Sequence, residues 1–237
     1  MNRALAISAT GMAAQQANLD LVADNLANAD VPGFKAATAT FASLGSSLGA
    51  VLTGSHPLFS QGKLMKTGGP FDVAIQGRGF FVVERDGACA YTRAGSFERA
   101  PDGRLRNAEG WRLSGVRIPR EAIGVSVEPD GSVLVRTARG TQTAGRIVPA
   151  AFDADEELRP IGSALFAATA ASGKARALRA GGAHGPTLVF GALEKSNVSV
   201  IESMMAILSA QRAYEANAKG VQAADEMLRI ANNLARG

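Results

Sequence analysis

The chain has 237 residues, of which 46% are hydrophobic and 19% charged, so it carries enough apolar material to bury a core and too little charge for wholesale disorder. The formal net charge is +4, and the densest basic stretch, Arg93 to Arg120, interleaves seven arginines with Glu98, Asp102 and Glu109. That pattern excludes the concentrated basic stripe of a nucleic-acid binder, and the single cysteine, Cys89, excludes an intramolecular disulfide and every multi-cysteine metal site.

The first element predicted is a helix. Leu5, Met12, Leu19 and Leu26 recur every seven residues, with Val22 and Ala29 three positions after members of that row, the spacing of a coiled-coil seam. Arg3 and the uncharged stretch Ala4 to Leu19 have the outline of a secretory signal, with Met12-Ala13-Ala14 as its cleavage site. Ser8, Thr10, Gly11, Gln15, Gln16 and Asn18 interrupt the apolar run, however, and the seven-residue row crosses the cut, so a retained helix is expected. Asp30-Val31-Pro32-Gly33 ends it, because proline disfavours helical geometry in the residue before it and glycine permits a sharp exit. At 1.5 Å per residue, positions 3 to 29 span about 40 Å.

The segment from 36 to 63 is rich in Gly, Ser and Thr and reads as a flexible linker. Its uncharged run, interrupted by Pro57, is not a transmembrane helix. From 64 to 193 the periodicity drops to two. Phe71, Val73 and Ile75 alternate with Asp72 and Ala74, Val125 and Val127 alternate with Ser126 and Glu128, and Phe80 to Val83 is a continuous apolar run. Asp86-Gly87, Asp102-Gly103 and Asp130-Gly131 sit between apparent strands, where glycine supplies the positive φ of a tight turn. An antiparallel β domain is expected here, with Cys89 as a small buried apolar residue. Nucleotide and metal motifs fail on particular residues. Gly77-Arg78-Gly79 continues to Val82 where a dinucleotide loop needs glycine, and Ser172-Gly173-Lys174 is preceded by Ala168 where a phosphate loop needs one. Asp153, Asp155, Glu156 and Glu157 lack the spacing of a calcium loop and read as an exposed acidic turn. His56 and His184 each lie apart from other ligand residues, so neither a metal nor a cofactor is expected.

The chain closes on a second seam. Val200, Ile207, Tyr214, Val221 and Leu228 are again spaced by seven, with Ala210, Ala224 and Ala231 three residues after members of the row. Ser199 and Glu202 fit a capping box, and no proline intervenes before Ala235, giving a helix of about 55 Å. The fold class read from these elements is α+β: an antiparallel all-β central domain flanked by long N- and C-terminal α-helices that form a coiled-coil layer. The expected divisions are 1–35, 36–63, 64–193 and 194–237.

Five ordered motifs resemble those of the bacterial flagellar rod and hook proteins. They are Asn25-Leu26-Ala27-Asn28 with Pro32-Gly33-Phe34-Lys35; Asp72 to Gly77 with Gly79-Phe80-Phe81; Tyr91-Thr92-Arg93 with Gly95-Ser96-Phe97; Leu193-Glu194 with Ser196-Asn197-Val198; and Gln211-Arg212-Ala213-Tyr214-Glu215. Gln15-Gln16, Gln76 to Phe81 and Asp225 to Leu228 resemble the distal-rod branch, while the region from Ala36 to Lys66 is shorter than that branch leads one to expect, so a proximal-rod or hook-type subunit stays open as the alternative. The resemblance implies a structural subunit, exported by the flagellar type III apparatus without signal-peptide cleavage and polymerising with itself and with other rod, hook and ring proteins into a helical tube across the periplasm. It implies no enzyme activity, no nucleic acid and no membrane insertion.

The residues agree in their own way, because two thin seams suit helices that pack against neighbouring copies, and heterologous contacts that do not close build filaments. Leu5, Met12, Leu19, Leu26, Val200, Ile207, Tyr214, Val221 and Leu228 are the expected contacts between subunits. Gly33, Gly77 and Gly79 are expected to serve backbone geometry, and Phe80 and Phe81 the core. Two alternatives stand beside this reading: the seams pair only with each other inside one chain, or the protein is an exported enzyme acting on cell-wall polysaccharide through carboxylates of the β domain.

Overall fold

In the computed structural model, residues 3–43, 49–182 and 185–234 are described; His184 and Ala235 lie outside them. Helix α1 runs from Arg3 to Ala27 and α2 from Val200 to Leu234. The turn at Asn28–Asp30, ahead of Pro32, ends α1 two residues early. At the start of α2 one half of the capping box forms, the Glu202 amide donating to Ser199 Oγ at 3.3 Å.

Between the helices lie eighteen strands among the described residues. In chain order they are β1 (Ala37–Ser43), β2 (Ala50–Pro57), β3 (Leu64–Lys66), β4 (Val73–Gln76), β5 (Phe81–Arg85), β6 (Ala88–Thr92), β7 (Glu98–Arg99), β8 (Arg104–Arg106) and β9 (Arg112–Arg117). There follow β10 (Gly124–Val127), β11 (Ser132–Thr137), β12 (Gly140–Arg146), β13 (Ala150–Ala151), β14 (Arg159–Gly162), β15 (Leu165–Ala167), β16 (Arg176–Ala177), β17 (Thr187–Phe190) and β18 (Ala192–Glu194). Every register given for these strands is antiparallel. The large sheet runs β10-β11-β12-β9-β5-β6-β15-β14, and off this path β8 pairs with β9 and β7 with β8. Three two-stranded pairs, β13-β16, β17-β4 and β18-β3, complete the β region, and β1-β2 forms a separate pair.

The chain divides into two compact units. The helical unit comprises the described parts of 1–27, 37–56 and 198–237; the β unit comprises 28–36 and 57–197. The segment expected as a linker therefore carries structure of its own. Alternating Ala37-Thr38-Ala39-Thr40-Phe41 suits an extended strand, since β-branched Thr favours it, and β2 pairs with it. Asn25 fixes the start of β1 by holding both polar groups of Ala37, accepting from its amide at 2.8 Å and donating to its carbonyl at 2.7 Å.

Two apolar clusters fill the β unit. The larger gathers Val73, Ile75, Phe81, Val83, Leu105, Trp111, Leu113, Ile118 and Leu188; the smaller gathers Phe80, Tyr91, Phe152, Leu158 and Phe166 through edge-to-face rings. Phe80 and Phe81 thus serve different clusters, as alternation along an extended chain requires. Three readings are corrected here. Phe71 lies in a turn before β4; Ala74 is buried along with Val73 and Ile75, because β4 is covered on both faces; and Cys89 is exposed, since it stands opposite Glu84 on the outer face of β6. The three Asp-Gly turns stand as read. Asp86 and Gly87 both take positive φ, 51° and 82°, and the carboxylates of Asp102 and Asp130 each accept the amide two residues ahead, from Arg104 and Ser132.

Candidate assembly surfaces and a buried charge cluster

The glycine, lysine and asparagine residues singled out near the chain ends meet in the β unit. Gly33, at φ 72°, turns the segment after α1 so that its amide donates to the carbonyl of Glu194 at 2.7 Å. A Cβ at Gly33 would lie 2.2 Å from the Ala94 amide nitrogen, so only glycine fits. Lys35 Nζ then reaches Glu194 Oε1 at 2.6 Å and the Ser60 carbonyl at 2.7 Å, with both side chains fully buried. Glu194 Oε1 also accepts the Gly62 amide at 2.8 Å. Its other oxygen, also buried, forms an ion pair with Arg93 Nε at 3.0 Å. Arg93 in turn donates to the Gly79 carbonyl at 2.6 Å.

Two cations and one anion are thereby removed from water. Burial pulls the Lys35 ammonium below its usual pKa, opposed by Glu194, and burial does the same to the Arg93 guanidinium, again opposed by Glu194. The carboxylate is what makes the burial of both tolerable. Asn197 closes the arrangement: its Oδ1 accepts the Ala36 amide at 2.7 Å, while its Nδ2 donates to the Leu58 carbonyl at 2.7 Å and to Ser60 Oγ at 2.9 Å. Ser196 and Phe34 are half-buried beside it, and Asn28 accepts the Val31 amide at 3.1 Å. Gly77 and Gly79 take φ of 103° and 122°, the positive values expected of backbone-geometry residues.

The helical unit is built differently. Gly11 of α1 faces Asn217 of α2, and Ser8 faces Gly220, so the helices run antiparallel and approach through small residues. Among the described side chains, which do not include Ala231, the buried positions are Ala14, Val22 and Asn25 on α1 and Ala210 and Ala224 on α2. The row three residues after the large seam is thus the one that α2 buries. Of the seam itself, Leu5, Met12, Leu19, Leu26, Ile207 and Val221 are half-buried, while Val200, Tyr214 and Leu228 are exposed. Gln211 and Arg212 are exposed on α2 as well. Periodicity did not single out a further stripe, Ile201, Met204, Met205 and Leu208, whose members are 53–72% exposed and spaced at i, i+3, i+4 and i+7. The signal was present as that spacing, but the seven-residue row drew attention away from it.

Two depressions flank Gly77 and Arg78, of about 410 and 330 Å³; charge in them is matched locally, Arg78 with Asp155 at 2.9 Å and Arg176 with Asp153. Among the described residues no group of three His, Cys, Asp or Glu side chains is placed to hold a metal ion. No helix of the described residues is long and apolar enough to cross a membrane.

Long terminal helices with uncovered apolar faces, attached to a β unit locked by internal charge, define a subunit of an assembly. Comparison with known proteins agrees. Three family profiles match in order: "Flagella basal body rod protein" over residues 5–35, "Flagellar hook protein FlgE/F/G D1 domain" over 74–135, and "Flagellar basal body rod FlgEFG protein C-terminal" over 190–234. The chain is 37% identical to flagellar basal-body rod protein FlgG of Borreliella burgdorferi, covering 100% of both chains, and 34% identical to FlgG of Agrobacterium fabrum, covering 96% and 97%. It is 30% identical to FlgF of Caulobacter vibrioides, covering 98% and 97%. The chain belongs to the flagellar basal-body rod protein family, as a structural subunit with greater likeness to these FlgG members than to this FlgF member.

Proposed function

We propose that this chain polymerises, without enzymatic activity, into the helical tube of the rod, using the faces of α1 and α2 that the monomer leaves uncovered. The observation that carries the reading is the exposure of Ile201, Met204, Met205 and Leu208 together with Val200, Tyr214 and Leu228, a larger apolar surface on one helix than a solitary subunit has reason to keep. The seam residues Leu5, Met12, Leu19, Leu26, Ile207 and Val221 flank the small-residue contact between the helices, where a neighbour's helix completes their burial. In the cell the chain passes through the flagellar type III export apparatus with its N-terminus retained, takes its place in the rod across the periplasm, and contacts other rod, hook and ring proteins.

Electron microscopy of the purified full chain tests polymerisation directly, with tubes as the expected outcome. Leu19→Asp and Ile207→Asp each place a charge in the proposed interface and are expected to abolish motility while β-sheet circular dichroism is unchanged. Normal swimming in both variants refutes the interface. Mass spectrometry of protein from basal bodies is expected to find a chain starting at or next to Met1; a start at Gln15 indicates general secretion instead.

A further inference from the structure

The outer face of the large sheet carries an arrangement that folding alone does not favour. In register, Arg104 of β8 stands opposite Arg117 of β9, and Arg106 opposite Arg112. All four are exposed, while Leu105, Leu113 and Val116 between them are buried. Like charges directly opposite each other weaken a strand pair, so this pairing is kept at some loss of stability. Local carboxylates offset it only in part. Asp102 lies 3.8 Å from Arg112 Nε and already accepts the Arg104 amide, and Glu84 and Glu98, opposite Arg112 and Arg106 in the ladder, form no ion pair with them. Among the described residues no carboxylate comes within 4.0 Å of the guanidinium groups of Arg104, Arg106 or Arg117; Arg117 Nε donates to the Asp102 backbone carbonyl at 3.1 Å. Between the strands lies a depression of about 280 Å³ lined by Arg104, Arg112, Arg117, Ser114 and Glu84.

The complementary charge is found on the same unit. The short turn Asp155–Glu157 is held by Asp155, whose carbonyl accepts the Leu158 amide at 3.1 Å and whose carboxylate accepts the Phe152 amide at 3.2 Å and pairs with Arg78. Asp153 pairs with Arg176. Glu156 and Glu157 are left exposed with no cationic partner among the described residues, on a turn already fixed in shape. This turn leads into β14, an edge strand of the sheet. In the order β9-β5-β6-β15-β14 it is four strand steps from the arginines, about 19 Å at ~4.8 Å per step.

We propose that the Arg104/Arg106/Arg112/Arg117 face receives the Glu156-Glu157 turn of a second copy of this chain. The two patches are complementary but different and lie in different parts of the sheet, so the contact is head-to-tail and leaves a free patch of each kind on every added copy, which is the condition for open growth. Complementary exposed charge speeds encounter, fixes register and is weakened by salt. This contact rests on the polymer reading above and assigns to the β unit a part in it.

The test uses two variants of the full chain, Arg104→Glu/Arg117→Glu and Glu156→Arg/Glu157→Arg, with the neutral glutamine versions of each as folding controls. All four positions are exposed; the Glu156/Glu157 variants are expected to melt as the unsubstituted chain does, and the glutamine version of the arginine pair at the same temperature or slightly above it, because it removes one like-charge pair. Assembly is read by light scattering against protein concentration at low and moderate salt. Each variant alone is expected to raise the concentration needed for assembly about tenfold or more, and a one-to-one mixture is expected to assemble at a lower concentration than either variant alone, since the intact arginine face then meets an intact acidic turn and the reversed turn meets a face of no net charge. Reversed variants that assemble at the unsubstituted concentration, or a mixture that gives no rescue, overturn the contact and leave the polymer reading standing. An unsubstituted chain that stays monomeric at every concentration overturns both.

Discussion

The two units of this protein solve the problem of burial in opposite ways. In the β unit Val73, Ile75, Phe81, Val83 and Val133 are completely buried, and even the charges of Lys35 and Glu194 are enclosed and paired with each other. In the helical unit the buried positions of α2 among the described residues are alanines, Ala210 and Ala224, while Ile201, Met205 and Leu234 are 72%, 65% and 79% exposed. A side chain that stays in water on folding contributes nothing to offset the roughly 1–2 kcal/mol of backbone entropy lost per ordered residue. The β unit is complete within one chain. The helices leave much of their apolar surface exposed, and the contrast separates what stabilises the single chain from the surface that the proposed assembly uses.

The largest effect expected in the β unit comes from breaking the charge cluster. Glu194→Ala leaves the Lys35 ammonium and the Arg93 guanidinium buried without their anion, a loss of about 3–5 kcal/mol. Thermal melting followed by the single tryptophan, Trp111, measures it; a loss below about 1 kcal/mol shows that water reaches the cluster and that the β unit is less closed than the comparison holds. Gly33→Ala comes next. Its φ of 72° and the Ala94 backbone 2.2 Å from the added carbon lead to a destabilisation of about 1–3 kcal/mol, read from the same melts. A wild-type melting curve places the turn after α1 outside the cooperative unit.

The helical unit is sharpened by proteolysis. With few large residues between them, α1 and α2 of dilute chain are expected to be trimmed first, leaving a fragment near residues 28–197, because Lys35 and Glu194 belong to the buried cluster of the β unit. If the ends resist protease and helical circular dichroism is independent of concentration, the small-residue contact is sufficient and the seams pair within one chain. The smallest effect is expected at the turns. The Ser132 amide and hydroxyl hold the Asp130 carboxyl below the usual aspartate pKa, and the Arg104 amide does the same for Asp102. For a lowered carboxylate pKa the stabilisation is present above about pH 4 and lost as pH falls through the lower folded value. Chemical denaturation of Asp130→Asn is therefore expected to show a slightly shallower fall in stability below pH 4 than the unsubstituted chain; a steeper fall refutes the assignment.

Much of the architecture was legible in the residues. The seven-residue rows, Pro32 and the Ser199 cap located both helices, and the Asp-Gly pairs located three turns, because each is a local conformational preference carried by one or two neighbouring side chains. The cluster of Lys35, Arg93 and Glu194 was visible only as fragments of separate motifs. Its members are 159 positions apart at the extreme, and no spacing rule links them; a charged residue set among apolar neighbours, as in Phe34-Lys35-Ala36, was the available hint.

The sequence by itself determined where the chain is helical, where it is extended and which family it resembles, since periodicity, turn chemistry and motif order are properties of short segments. Only the tertiary structure decided which face of each helix is covered. A seven-residue row marks a stripe without saying what lies against it, and close approach at Gly11 and Gly220 selected the small-residue row for burial and left the large one at its flank. The same holds for the basic charge: arginines scattered from 104 to 117 are interleaved with other residues in the sequence, whereas antiparallel register sets four of them face to face.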